Sequence, residues 1–125
     1  DRRPGMTVLS VDRFASVLCR LLWIVNRRAN MQLFTGDSAT FYSVARQGFA
    51  AAVFVDGDHT EEGVLADLRG AERIVRPGGA IMAHDYRQPG IPGVALAVDR
   101  FCSETDWHIV RQVASMVVLR KGVQR

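Results

Sequence analysis

Cysteine is scarce in this sequence, and that scarcity excludes a fold held together by disulfides. The two cysteines, Cys19 and Cys102, stand far apart and outside any Cys-x-x-Cys spacing. Small secreted domains that depend on disulfides carry more cysteines, because several bridges have to compensate for a small core. We therefore expect a protein of the reducing cytoplasm.

Long hydrophobic runs are also missing, which argues against a membrane protein. No apolar segment is long; residues 21–25, for example, are bracketed by Arg20 and Arg27, whereas a bilayer-spanning helix needs about 20 apolar residues. Near Asp1 there is no charged start followed by an apolar core and a cleavage site, so no secretory signal is predicted. We predict that the chain has no membrane partner.

A concentrated basic surface is not indicated either. Lysine and arginine number 16 against 13 acidic residues, for a net charge of +3, and the excess lies in short pairs towards the ends. Nucleic-acid binding would need a basic stripe with interleaved aromatic residues, and the sequence shows none. The Gly-x-x-x-x-Gly-Lys-Ser/Thr loop of P-loop enzymes is absent as well. We predict no nucleic-acid partner.

The sequence does contain two short apolar runs that each stop at ionisable side chains. Residues 51–55 end at Asp56, and residues 79–83 end at His84 and Asp85. Runs of this kind are typical of strands buried in a parallel sheet. In open α/β sheets, ligands bind outside the carboxyl ends of the strands. We therefore predict a small-molecule site at one sheet edge, formed by Asp56, Asp58, His59, His84 and Asp85.

The remaining periodicities complete an α/β pattern. Further strands are predicted over 7–12, 31–35, 107–113 and 116–120, and helices over 14–26, 39–47, 61–76 and 92–103. Thr60 is a predicted N-cap of the third helix, residues 77–79 are a predicted stop before a strand over 80–83, and residues 88–93 are a predicted loop over the strand ends. The last two strands have no helix between them, so they should form an antiparallel hairpin. At 125 residues the chain suits one domain, residues 1–125. We predict a Rossmann-like α/β fold with a mostly parallel sheet, helices on both faces and a closing hairpin.

Three motifs carry a resemblance to a known family. They are Phe-Val-Asp-Gly-Asp-His at 54–59, the stretch from Val-Arg-Pro-Gly-Gly to His-Asp-Tyr at 75–86, and Pro-Gly-Val at 92–94. Together they resemble the class I S-adenosylmethionine-dependent methyltransferases, in the branch whose fourth strand ends in Asp-Gly-Asp-His and whose fifth ends in His-Asp-Tyr. The resemblance implies S-adenosylmethionine as cofactor and O-methylation of a small hydroxylated substrate.

The resemblance also assigns cofactor-binding residues. It implies that Asp12, at the end of the family's second strand, accepts hydrogen bonds from the ribose hydroxyls. It places Asp37 and Ser38 at the adenine, and Asp56 near the methionine part and the transferring methyl group.

Candidates for the base that deprotonates the acceptor are Asp58, His59 and His84. Histidine titrates close to working pH, which favours it chemically. Alternatively, His84 and Asp85 are structural residues at a strand end, and His59 only marks a helix entry.

The resemblance to sugar O-methyltransferases raises the question of a metal. It implies Asp56 and Asp85 as ligands, with Asp58 as base, and His84 occupies the position of a third, carboxylate ligand. Magnesium prefers hard oxygen ligands, so the histidine favours a softer divalent ion or none.

One departure from the family is large. Its first strand ends in a glycine-rich loop that contacts the cofactor, but here no glycine lies between Gly5 and Gly36. The first strand is therefore missing. We expect an N-terminal portion beyond this chain; the alternatives are closure of the gap by a homodimer, or a degenerate remnant. Two other functions remain as alternatives to methyl transfer. One is a catalytically inactive interaction module, and the other is a metal-dependent hydrolase that uses the Asp and His residues.

Overall fold

The computed structural model describes residues 8–12, 31–35 and 37–122, with side chains from residue 37 onward. The chain divides into two compact units, Asp1–Val44 and Ala45–Arg125, and each is described by itself. The helix predicted over 14–26 lies outside the described residues, and the single domain stays a prediction.

The first unit contains a parallel pair of strands. Strands β1 (Val8–Asp12) and β2 (Met31–Thr35) pair with Val8 opposite Met31, which confirms both predicted strands. Helix α1 (Ser38–Val44) follows. Its first turn is capped by Asp37, whose Oδ1 accepts a hydrogen bond from the Thr40 N–H at 2.7 Å.

Helix α1 ends at Val44, earlier than the predicted end at residue 47. The following residues, all in the second unit, are held by Arg73. Its Nη1 donates to the Ala45 carbonyl at 2.8 Å, and its own carbonyl accepts from the Gly48 N–H at 3.1 Å. Gly48 has a φ of +69°, so the chain turns there towards the next strand.

The second unit is a four-stranded mixed sheet with two helices. Its elements are β3 (Ala50–Val55), α2 (Glu61–Ile74), β4 (Val75–Ala83), α3 (Pro92–Glu104), β5 (Trp107–Val113) and β6 (Met116–Lys121). The strand order is β3-β4-β6-β5; β3 and β4 are parallel, and the other pairs are antiparallel. The closing hairpin is thereby confirmed, with Ala114 and Ser115 as its turn.

Strand β4 begins five residues earlier than predicted, at Val75 instead of Ala80. The predicted breakers 77–79 form an irregularity in the strand, because the register with β3 jumps between Ala50–Val75 and Ala52–Ala80. Residues 77–79 therefore interrupt the regular pairing of β4 with β3, but the strand still begins before them.

The core lies between the helices and the sheet. Helix α2 buries one apolar face, and Phe101, Leu68, Ile81 and Leu119 are among the largest fully buried side chains. Thr60 caps α2 as predicted, since its Oγ1 accepts from the Gly63 N–H at 3.1 Å. No helix in the described ranges is long and apolar enough to cross a membrane.

Strands β3 and β4 end side by side, which matters most for function. Val55 pairs with Ala83, so the residues that follow, Asp56 and His84, leave the sheet at the same edge. This is the edge that the sequence predicted.

Candidate active site

Four of the predicted site residues form one cluster at this edge. The His84 Nδ1 atom lies 3.1 Å from Asp85 Oδ1 and 3.6 Å from Asp56 Oδ1. The His59 Nε2 atom lies 2.9 Å from Asp85 Oδ2. We refer to Asp56, His59, His84 and Asp85 as the Asp–His cluster.

Asp85 is the centre of the Asp–His cluster. Its side chain is 17% exposed, against 48% for His59 and 42% for His84, and each of its oxygens faces one histidine. An ionised carboxylate only accepts hydrogen bonds, so the histidine nitrogens that face it carry the protons. In the neutral form of His59 the proton is then on Nε2, which leaves Nδ1 as the basic nitrogen.

His84 is enclosed more completely than His59. Its Nε2 atom lies 3.4 Å from the Ser115 hydroxyl, in the turn of the β5–β6 hairpin, and its ring lies 6.4 Å from the Phe54 ring. Both of its nitrogens therefore face protein groups. Neither Ser115 nor Phe54 was predicted at the site. Ser115 arrives there only because β6 lies beside β4 and brings the hairpin turn to this edge.

Asp58 is held in the loop that leads into α2. Its Oδ1 accepts from the Thr60 N–H at 2.9 Å, and a Cβ on Gly63 would overlap its side chain. The hydrogen bonds from Thr60, led by that backbone N–H, lower the pKa of Asp58 below its usual range. A lower pKa makes Asp58 a weaker base than an ordinary carboxylate, and its catalytic role stays a prediction.

Three members of the cluster could hold a metal ion. Asp56, His59 and Asp85 each offer a ligand atom, and these atoms lie within 4.8 Å of one another. Two carboxylate oxygens and one imidazole suit manganese, iron or zinc better than magnesium. The sequence placed His84 in the ligand set, whereas His59 completes this group in the structure.

A groove adjoins the cluster on the side of His59. It lies between the loop after β3 and the loop before α3, and is lined by Gly57, Asp58, His59, Thr60, Gly90, Ile91, Pro92 and Gly93. The predicted loop over 88–93 therefore faces the strand ends, where it forms one wall of the groove. His59 is the member of the cluster that lines this groove.

The remaining predicted cofactor residues lie in the first unit. Asp12 ends β1, but its side chain is outside the described part of the chain. Asp37 is exposed and caps α1, where Ser38 begins the helix. Their roles at the ribose and adenine stay predictions, as does the role of Asp56 at the methionine.

Tyr86 follows the cluster and is almost completely buried, with 4% of its surface exposed. Its hydroxyl donates to Asp99 Oδ1 at 2.7 Å. Burial, and then the hydrogen bond to the Asp99 carboxylate, raise the pKa of Tyr86 above its usual value of 10.0.

Stability should therefore fall at alkaline pH. Below pH 10 the tyrosine is neutral in both states, but above it the unfolded chain loses a proton that the folded chain retains, which favours unfolding by at most about 1.4 kcal/mol per pH unit. Denaturant unfolding of the wild type and of Tyr86→Phe between pH 8 and about 11 measures this contribution as the difference between the two curves. A difference that does not change above pH 10 would contradict the raised pKa.

The sequence matches the model of a known protein family. A family model described as a methyltransferase domain matches residues 5–86. No curated protein matches the sequence.

Solved structures are similar in fold over nearly the whole chain. A protein from Corynebacterium glutamicum aligns with a TM-score of 0.76 at 14% identity, covering 96% of this chain and 62% of that one. An O-methyltransferase from Bacillus cereus, solved with S-adenosylhomocysteine, aligns at 0.66 and 17%, covering 92% and 62%. The O-methyltransferase TomG from Streptomyces achromogenes, solved with S-adenosylmethionine, aligns at 0.67 and 16%, covering 95% and 64%.

These likenesses confirm the Rossmann-like α/β fold. The chain spans less than two thirds of the length of each of these three structures. The family match extends from residue 5 to Tyr86 and so includes β1, β2, β3, β4 and every member of the Asp–His cluster. This chain belongs to the methyltransferase domain family.

Proposed function

We propose that this chain transfers a methyl group from S-adenosylmethionine to a hydroxyl oxygen of a small molecule. The observation that carries the proposal is the Asp–His cluster at the carboxyl ends of β3 and β4, next to a groove wide enough for a ligand to approach. Membership of the methyltransferase family supports methyl transfer over hydrolysis by the same residues.

His59 is our choice for the base. It lines the groove, its side chain is about half exposed, and Asp85 holds its Nε2 proton. Nδ1 can then accept the proton of an acceptor hydroxyl, and the Asp85 carboxylate stabilises the imidazolium that forms. His84 is less suited, because its two nitrogens already face Asp85 and Ser115.

The proposed reaction is an in-line displacement. When bound, S-adenosylmethionine supplies an electrophilic methyl group on a positively charged sulfur. The carbon–sulfur bond breaks, a carbon–oxygen bond to the acceptor forms, and the acceptor proton passes to His59. The products are S-adenosylhomocysteine and a methyl ether. The chain's contribution is to orient the acceptor oxygen and remove its proton.

A divalent metal is an alternative form of the proposal. Asp56, His59 and Asp85 would hold it, and because a metal-bound His59 would not also serve as the base, Asp58 would take that role. A metal supplies Lewis acidity that makes a bound hydroxyl easier to deprotonate. Titration with Mn²⁺ or Zn²⁺ in the absence of cofactor tests this part separately.

Isothermal titration of the chain with S-adenosylmethionine and S-adenosylhomocysteine tests the cofactor assignment. We expect both to bind, and we expect Asp12→Ala or Asp56→Ala to weaken binding at least about tenfold, because each removes a carboxylate that accepts hydrogen bonds. Asp37→Ala and Ser38→Ala test the adenine contacts in the same way.

The matched control is Asp106→Ala, which removes an exposed carboxylate between α3 and β5 and should leave the affinity unchanged. If the folded chain binds neither compound, either the missing first strand with its glycine-rich loop is indispensable or the domain has lost the activity. The same titration on an N-terminally extended chain separates the two, and failure there as well would favour the inactive interaction module.

A further inference from the structure

Tyr86 is buried in the loop that connects β4 to α3 and carries two members of the cluster, His84 and Asp85. Of residues 84–91 it alone is buried. Its hydroxyl donates to Asp99 on α3 at 2.7 Å, and its backbone N–H donates to the Ser115 carbonyl in the hairpin turn at 2.8 Å. One residue thus ties the loop to two separate elements of the fold.

The residues on either side of Tyr86 have an unfavourable backbone conformation. Asp85 has a φ of +64° and Arg87 a φ of +56°, in the left-handed region that side chains with a Cβ rarely adopt. Such a conformation persists only where its surroundings hold it. The attachments of Tyr86 lie between these two residues, and the Arg87 guanidinium lies over the tyrosine ring, 5.2 Å from its centre.

The backbone conformation of Asp85 decides where its carboxylate points. That carboxylate is hydrogen-bonded to His59 at 2.9 Å, and its other oxygen lies 3.1 Å from His84 Nδ1. A loop released from Tyr86 would be free to relax at Asp85, and the carboxylate could then no longer face both histidines.

We propose that Tyr86 is a positioning residue, which holds Asp85 in the conformation that aligns His59 for proton transfer. The proposal rests on the proposed function only in taking the cluster to be catalytic. The tyrosine is buried and does not line the groove; it acts through Asp85.

Histidine NMR of the chain without cofactor tests the positioning directly. Tyr86→Phe keeps the buried ring and the backbone bond to Ser115 but loses the bond to Asp99. We expect the imidazole signals of His59 and His84 to move from their wild-type chemical shifts. The signal of His108, on β5 and outside the cluster, should stay in place and serves as an internal reference. Asp99→Ala should reproduce the changes, and Asp99→Asn, which keeps an acceptor oxygen, should restore the wild-type shifts.

Thr105→Ala is the matched control for a purely structural effect. This substitution also removes a hydroxyl that is hydrogen-bonded to α3, since the Thr105 hydroxyl donates to the Phe101 carbonyl at 2.6 Å. That bond lies at the end of the helix away from the cluster. The substitution should lower stability without moving the His59 and His84 signals. The proposal is overturned if Tyr86→Phe leaves these signals unchanged, or if Thr105→Ala moves them equally. Because no cofactor is involved, this result is independent of the titrations with S-adenosylmethionine.

Discussion

Replacement of Asp85 by Asn should reduce methyl transfer by about a hundredfold to ten-thousandfold, the range that general acid–base catalysis contributes. The carboxylate offers one oxygen to His59 and the other to His84. An amide keeps one acceptor oxygen, but its NH2 group would face the N–H of the other histidine. One imidazole has to change its proton position or turn away, and an orienting carboxylate no longer stabilises the charged base.

The substitution is chosen so that it spares the fold. Asp85 has a φ of +64°, a conformation that Asn tolerates about as well as Asp. The rate is measured as S-adenosylhomocysteine released with a panel of small hydroxylated acceptors, and thermal unfolding of each variant confirms that it is folded. Glu72→Gln makes the same chemical change on α2, outside the cluster, and should leave the rate unchanged. An Asp85→Asn variant that is as active as the wild type would remove Asp85 from the mechanism.

The sequence was sufficient to predict which strand ends meet. Asp56 and His84 each follow an apolar run, and parallel strands bring their carboxyl ends to one edge, so the pairing of Val55 with Ala83 confirms a purely local inference. The Thr60 cap and the two-residue hairpin turn were also local patterns, and both are confirmed.

The side-chain contacts within the site could not be predicted from the sequence, because they depend on how strands and helices pack in three dimensions. Ser115 reaches His84 only because β6 lies beside β4, and no periodicity states which strand a hairpin joins. Tyr86 gave no signal of its contact with Asp99, since the tilt of a helix relative to a loop decides that distance. Asp58 did offer a usable signal. In an Asx turn, an Asp that follows a strand accepts a hydrogen bond from the backbone N–H two residues later, and this is the bond that Asp58 makes with Thr60.

Replacement of Gly93 by Ala should destabilise the chain by about 2 kcal/mol, and it should disturb the site as well. Gly93 is buried in the first turn of α3, against the loop that carries His59. A Cβ there would overlap the His59 carbonyl oxygen and come within 2.7 Å of the Glu61 nitrogen. These are backbone atoms, so no side-chain rotation can relieve the contact, and the cost should reach about 3 kcal/mol, the upper end for overpacking.

Two effects oppose each other at this position. Within a helix, Ala is favoured over Gly by about 1 kcal/mol, so helix propensity alone would make Gly93→Ala stabilising. The clash is the larger effect, which gives the net loss, and the sign of the measured change therefore tests whether α3 lies directly on the His59 loop. Gly90→Ala is the control: it has a φ of +80° and nothing within 4 Å of the added carbon, so it should cost about 1 to 2 kcal/mol from backbone conformation alone.

The two glycine variants should also differ at the cluster. The clash in Gly93→Ala pushes on the backbone of His59 itself, so the His59 imidazole signal should move, whereas the carbon added at Gly90 contacts nothing and should leave that signal in place. Denaturant unfolding supplies the free energies, and histidine NMR supplies the shift. A Gly93→Ala variant more stable than the wild type, with an unmoved His59 signal, would show that helix α3 lies further from the His59 loop than these contacts allow.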